Sequence, residues 1–283
     1  MIYFCADDYG LNGSASARIR QCVARGALNK VSVFPNFGLP DRNGLQNVLL
    51  SLHLNLVEGK CMAPAAELDL LAEKDGTFRH TFGGLFLHSV LHGKRLEAQL
   101  YQEIRAQVRF FRSLLPPGTP FGIDSHQHTH MIPAVFRALL RVLREENLEP
   151  AYLRIPAEPI SPFLQTPSLW FTYRPVNLIK QWLLNFLWLI NKPMLKRFPL
   201  PTADFFGILF SGQMDEPRVR KLLPKFIRRA AKTGRDIEVL FHPGYPEPDE
   251  ANLNTLAFER FYRSKNRTVE FDCVMKLSER SVL

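Results

Sequence analysis

The sequence predicts a parallel α/β fold, and three observations carry that prediction. Seven short apolar runs alternate with longer segments of helical periodicity along 283 residues. The runs are rich in Ile, Val, Leu and Phe, and the polar clusters of the chain fall where they end. Alternation of this kind implies βαβ units and hence a parallel sheet, open or closed, and seven repeats favour closure into a barrel.

In chain order, strands are expected at 2–6, 31–34, 50–56, 121–128, 151–155, 205–210 and 237–241. A helix over 12–25 follows the first strand. The stretch 58–95 has weak periodicity and carries Gly76, Gly83, Gly84 and Gly93, which reads as a long insertion over the site end of the fold. Its His80, His88 and His92 lack a shared spacing. A clear helix runs over 95–115, where Leu96, Leu100, Ile104, Val108 and Phe111 form one apolar stripe. Another opens at Pro133, with Val135, Leu139 and Val142 on one face. Segment 176–198 is rich in Leu and Trp, but Lys180, Gln181 and Asn185 interrupt it, and its longest apolar run falls well short of the ~20 residues of a spanning helix. It reads as a buried or lid helix ahead of a membrane-surface helix. Arg218, Lys221, Lys225, Arg228 and Lys232 oppose Val219, Leu222, Phe226 and Ile227 on a further helix, as a solvated basic face does. No linker splits the chain, so residues 1–283 are expected to form one domain with insertions near 58–95 and 159–200.

Hydrophobic residues make up 46% and charged residues 22%, which excludes disordered, collagenous and low-complexity classes. The 36 Lys and Arg against 27 Asp and Glu leave +9, a bias toward anionic surfaces that assigns no nucleic-acid partner. Cys5, Cys22, Cys61 and Cys273 lie far apart without a Cys-x-x-Cys pair, and the N-terminus lacks the basic region of a signal peptide. A cytoplasmic location is expected.

Four polar clusters carry the chemistry. Asp7-Asp8 closes the first strand; one carboxylate there can bind a metal while the other faces substrate or water, or the pair can cap the helix over 12–25. In Ser51-Leu52-His53-Leu54-Asn55, period two puts His53 and Asn55 on a polar face opposite the leucines, where a buried imidazole requires a partner. The densest cluster is Asp124-Ser125-His126-Gln127-His128-Thr129-His130-Met131. On an extended segment His126, His128, His130 and Asp124 share one face, and the run lies at a strand's C-terminal end, where barrels hold their active sites. Finally, His242-Pro243-Gly244 ends the last strand in a turn that fixes the imidazole at the mouth.

Together, Ala6-Asp7-Asp8-Tyr9-Gly10-Leu11, Leu52-His53-Leu54-Asn55-Leu56, the Asp124 to Met131 run and His242-Pro243-Gly244 resemble the YdjC-like carbohydrate deacetylases, which include chitooligosaccharide deacetylases. The resemblance implies a distorted TIM-like barrel. It also implies one divalent metal, Mg or Zn, held by Asp8, His53 and His126 with Asp7 as base, and hydrolysis of an N-acetylated amino sugar. His242 is then the acid for the leaving amine. Asn55, Asp124, His128, His130 and Arg154 are read as substrate-facing or as partners behind the ligands. Another metallohydrolase barrel, an amidohydrolase or phosphoesterase, would use the His-x-His run without requiring Asp7-Asp8. A basic non-catalytic module binding membrane or nucleic acid would leave the inward histidines unexplained. Segment 176–198 adds the expectation of peripheral membrane contact, and a homodimer is a further expectation.

Overall fold

Strands form where the apolar runs lie. The computed structural model describes residues 1–38, 41–244, 253 and 256–278. In it β1 (Ile2–Tyr9), β2 (Lys30–Val33), β3 (Leu49–Leu54), β4 (Gly122–Ser125), β5 (Tyr152–Leu153), β6 (Ala203–Phe206) and β7 (Asp236–Phe241) form one parallel sheet, in the order β5-β4-β3-β2-β1-β7-β6. The sheet curls until its edges meet, and the Leu153 amide of β5 donates to the carbonyl of Pro201, just before β6, at 2.9 Å. The α/β class and the seven strands are therefore as the alternation predicts, in the form of a distorted TIM-like barrel.

Helices α1 (Gly13–Ala24), α2 (Phe82–Leu91), α3 (Gly93–Ser113), α4 (Pro133–Glu145), α5 (Ser161–Leu164), α6 (Pro175–Arg197), α7 (Glu216–Thr233), α8 (Leu256–Tyr262) and α9 (Asn266–Ser278) accompany the sheet. Several boundaries have a local cause. Asn12 caps α1 by accepting from the Ala15 amide at 2.9 Å, and Asp215 caps α7 by accepting from Arg218 at 2.9 Å. Gly234 ends α7 in the left-handed conformation, φ +67. The stripe from Leu96 to Phe111 on α3 is fully buried, against α4 and β3.

The barrel interior is polar, an inversion of the usual strand pattern. On β2, Val31 and Val33 alternate with Lys30 and Ser32, and all four are buried. Lys30 Nζ reaches Glu238 Oε1 at 2.8 Å and Asp124 Oδ2 at 3.1 Å. A lone ammonium buried there would cost several kcal/mol, which these two carboxylates offset.

Five strands end sooner than expected, two of them by at least three residues. The sixth was expected over 205–210, yet the chain leaves the sheet after Phe206. The carboxylate of Glu158 accepts from the amides of Gly207, Ile208 and Leu209 at 2.7, 3.1 and 2.9 Å, drawing them away from β7. Gly207 is required at this exit, since a Cβ would lie 2.9 Å from that of Leu240. The fourth strand was expected over 121–128 but stops at Ser125, with consequences for the histidine run.

Candidate active site

Consecutive strand residues normally face opposite sides of a sheet, so Asp7 and Asp8 need a device to serve one site. The register of β1 against β2 slips between Ala6 and Tyr9, and Asp8 adopts φ +70. This left-handed residue, which costs about 1–3 kcal/mol of strain, brings both carboxylates to His53: Asp7 Oδ2 lies 3.9 Å from Nδ1 and Asp8 Oδ1 lies 3.6 Å from Nε2. Since Asn12 caps α1, neither aspartate is spent as a helix cap.

His53 projects from β3 with Nδ1 2.6 Å from Asp124 Oδ1. That contact orients the ring and leaves Nε2 toward Asp8. His126 Nδ1 lies 3.6 Å from the same Asp8 Oδ1. Asp8, His53 and His126 thus present ligand atoms all within 4.8 Å of one another, and the buried Asp8 Oδ1 and His53 Nε2 have no hydrogen-bond partner. Orphaned buried atoms of this kind are costly unless something binds them. A mixed carboxylate and imidazole set fits a divalent cation such as magnesium or zinc, and leaves positions for water and substrate. Cys5, Asp124 and Glu238 also cluster, as do Asp7, His53 and Asp124, but Lys30 and Arg154 already reach the carboxylates of both groups.

The electrostatics follow from burial and partners. Against desolvation, the Arg267 guanidinium and the two imidazoles hold the Asp8 carboxyl well below the usual range. Desolvation would lower the His53 pKa, but Asp7, Asp124 and Asp8 raise it to about 9, whereas burial lowers that of His126. Arg154, fully buried, donates to Asp7 through Nη1 at 2.7 Å and Nη2 at 2.8 Å, and to Glu238 through Nη2 at 2.7 Å. It is a holder of Asp7 and does not line the cavity.

The histidine run departs from the extended reading. Gln127 and His128 take left-handed φ values of 51 and 58, so His126, His128 and His130 do not share a face, because the chain turns tightly once β4 ends. His126 faces Asp8. His128 lines the cavity, its ring 5.8 Å from that of Phe205. His130 turns back into the interior, 2.5 Å from Ser125 Oγ and 2.8 Å from the Arg154 carbonyl, and burial lowers its pKa to about 4. It supports the segment just past β5 that carries Arg154 and does not line the cavity. Asn55 does not face substrate either: it lies past the end of β3 and staples a loop, accepting from the Val57 and Glu58 amides at 3.1 Å. His80, His88 and His92, without common spacing in sequence, pack ring against ring with centroids 4.3 and 5.2 Å apart.

The C-terminal helices complete the site, which sequence reading missed. Arg267 donates to Asp8 Oδ2 at 2.8 Å. Glu270 accepts from the His242 amide at 2.6 Å, and its Oε2 lies 3.2 Å from His242 Nδ1. Against desolvation, this carboxylate raises the His242 pKa. Gly244 makes room for the arginine, since a Cβ would sit 2.6 Å from Arg267 Nε. The one signal available was their spacing of three residues on a helix. Asp7, His53, His126, His128 and His242 line a cavity of about 340 Å³ whose other walls include Phe82, Lys180, Leu183 and Phe258. A carboxylate, an imidazole and a candidate cation site on one cavity wall are groups of the kind that hydrolysis of a polarised acyl bond requires.

Comparisons with known proteins show the family and the fold. The family model described as YdjC-like protein matches residues 1–283. A carbohydrate deacetylase of Danio rerio is 30% identical over 158 residues, 54% of this chain and 49% of that protein. One of Homo sapiens is 29% identical over 159 residues, 54% of this chain and 47% of that protein. The chain thus matches about half the length of these curated relatives. A crystal structure from Enterococcus faecalis, of a candidate cellobiose-phosphate cleavage protein, shares the fold with a TM-score of 0.64 at 17% identity, covering 98% of this chain and 92% of that one.

Proposed function

Because the chain belongs to the YdjC-like protein family, we propose that it is a hydrolase that removes the N-acetyl group from an amino sugar or sugar conjugate with the aid of one divalent metal ion. The observation that carries the reading is the convergence of Asp8, His53 and His126 beside Asp7 at one cavity, with two of their ligand atoms buried and unpartnered. The carbohydrate deacetylases among its relatives support the acetylated sugar as substrate.

Asp8, His53 and His126 would hold the ion, which when bound lowers the pKa of water and polarises the acyl oxygen. Asp7, gripped by Arg154, keeps a lone pair on each oxygen and takes the water proton as the C–O bond forms at the carbonyl carbon. His242, its imidazolium favoured by Glu270, gives a proton to the sugar nitrogen as the C–N bond breaks. Acetate and a free amine result. Asp124 fixes the tautomer of His53, and Arg267 fixes the orientation of Asp8. The reading takes residues 1–283 as one catalytic domain, since groups from Asp7 to Glu270 meet in one place. Four free thiols support a reducing, cytoplasmic setting.

The test is acetate release from a panel of N-acetylated sugars, before and after chelation and with Mg or Zn restored. Metal-restored acetate release is expected on at least one sugar. Phosphate release from sugar phosphates without acetate release from any N-acetyl sugar would overturn the reading.

A further inference from the structure

We propose that the exposed faces of α6 and α2 form a docking surface for an anionic lipid bilayer, and that the amino sugar processed at this site is carried on a lipid. The second half rests on the deacetylase reading; the docking does not.

The first observation is where apolar surface remains uncovered. Among the described residues sixteen large apolar side chains are exposed, and ten of them fall between residues 160 and 190. Phe171 is 99% exposed and Trp182 is 74% exposed. Single exposed leucines need no explanation, but a concentration of this kind marks a contact surface.

The second observation is continuity with the cavity. Ile179, Leu183, Phe186 and Ile190 follow one another at helical spacing along α6 and form one row. Leu183 lines the cavity while the other three are exposed, so the cavity wall passes directly into the apolar surface. The same holds for α2, whose first residue, Phe82, lies in the cavity wall while Leu87, Val90 and Leu91 are exposed. A lipid tail leaving the cavity would therefore meet apolar side chains, with its sugar at His53 and His126.

Charge selects the occupant. No acidic residue lies between Glu158 and Asp204, where Arg174, Lys180, Lys192, Lys196 and Arg197 occur, and none lies between Asp75 and Glu97, where Arg79, Lys94 and Arg95 occur. Arg79 and Arg95 pair with Glu73 and Asp69, so the cations this face offers are Lys94 beside α2 and those within and flanking α6, in a chain with 27 acidic residues overall. Pairing this face with a second copy would bring like charges together, whereas an anionic bilayer accepts the cations at its headgroups and Trp182 and Phe186 at its interface. Among the described residues no helix is long and apolar enough to cross a membrane. The contact is that of helices lying on the surface.

The test is flotation of the full chain with vesicles of phosphatidylcholine alone or mixed with phosphatidylglycerol. Wild type is expected to float with the anionic vesicles and to be released in part by salt. Trp182→Ser with Phe186→Ser, neither of which lines the cavity, should lower the bound fraction about tenfold at an unchanged melting temperature. Should that variant not fold, Lys192→Glu with Lys196→Glu keeps the apolar face and is expected to abolish the salt-sensitive part of binding. Turnover of a soluble N-acetylated sugar should be unchanged in both variants, while kcat/KM for the same sugar on an alkyl chain in those vesicles falls about tenfold with binding. Absence of flotation with either vesicle overturns the docking surface. So does a wild-type dimer that does not float and that the Trp182 and Phe186 changes dissociate, which would make this face a contact between copies. Equal losses on both sugars would overturn the lipid-carried substrate. Flotation without acetate release from any sugar would remove the deacetylase reading and leave the docking surface standing.

Discussion

Replacing Asp7 by Asn exchanges one carboxylate oxygen for an amide nitrogen at nearly constant volume. In the folded protein both oxygens of Asp7 accept from Arg154, at 2.7 and 2.8 Å, so the variant keeps one of these bonds and turns a donor toward a donor at the other. Arg154 is not left unpaired, because Glu238 still accepts from its Nε at 3.0 Å and its Nη2 at 2.7 Å. The folding cost should therefore be about 1–3 kcal/mol, that of one unsatisfied group, and below the cost of about 3–5 kcal/mol for stranding a buried charge. Asp7 is outside the set formed by Asp8, His53 and His126, so metal content should match wild type. Turnover should fall about 10²- to 10⁴-fold, the usual worth of a general base, or about 2.7–5.4 kcal/mol in the barrier. The assay is kcat for acetate release by metal-replete protein well below its melting temperature, with metal content and melting curve measured on the same sample. A metal-replete, folded Asp7→Asn protein with near-normal kcat would refute the assignment of Asp7 as the proton acceptor.

Further outcomes are expected. His53→Ala removes a ligand atom, so metal affinity should drop by more than the about 10- to 100-fold that loss of an outer partner costs; titration calorimetry that shows an unchanged affinity would exclude His53 from the metal set. Because Glu270 raises the His242 pKa above the ordinary range of an imidazole, an acid role predicts that kcat falls as pH rises through that elevated pKa, and Glu270→Gln should move this limb to lower pH. A limb that stays in place would show that another group supplies the proton. Inside the barrel, a Cβ on Gly122 would collide with Ser51 Oγ, itself without a hydrogen-bond partner. Gly122→Ala should thus destabilise by about 1–3 kcal/mol, and Ser51→Ala should restore much of the loss in the double variant, as read by chemical denaturation.

The parallel seven-stranded architecture was legible in the sequence because its causes are local: period two in Leu52-His53-Leu54, a stripe from Leu96 to Phe111, a proline opening a helix at Pro133. The same locality placed Asp7, Asp8, His53, His126 and His242 at strand ends, where a parallel barrel gathers them. Which atom meets which partner was settled by backbone that departs from that periodicity. The left-handed residue at Asp8 turns two neighbouring carboxylates toward one imidazole, and those at Gln127 and His128 send three alternating histidines in three directions. Arg267 and Glu270 were invisible for a different reason. They act on Asp8 and His242 across sequence separations of 259 and 28 residues, and nothing in the composition of α9 records what its side chains reach once the barrel has closed. Local periodicity encodes the direction a strand or helix side chain takes; a contact made by tertiary closure has no local trace in the sequence.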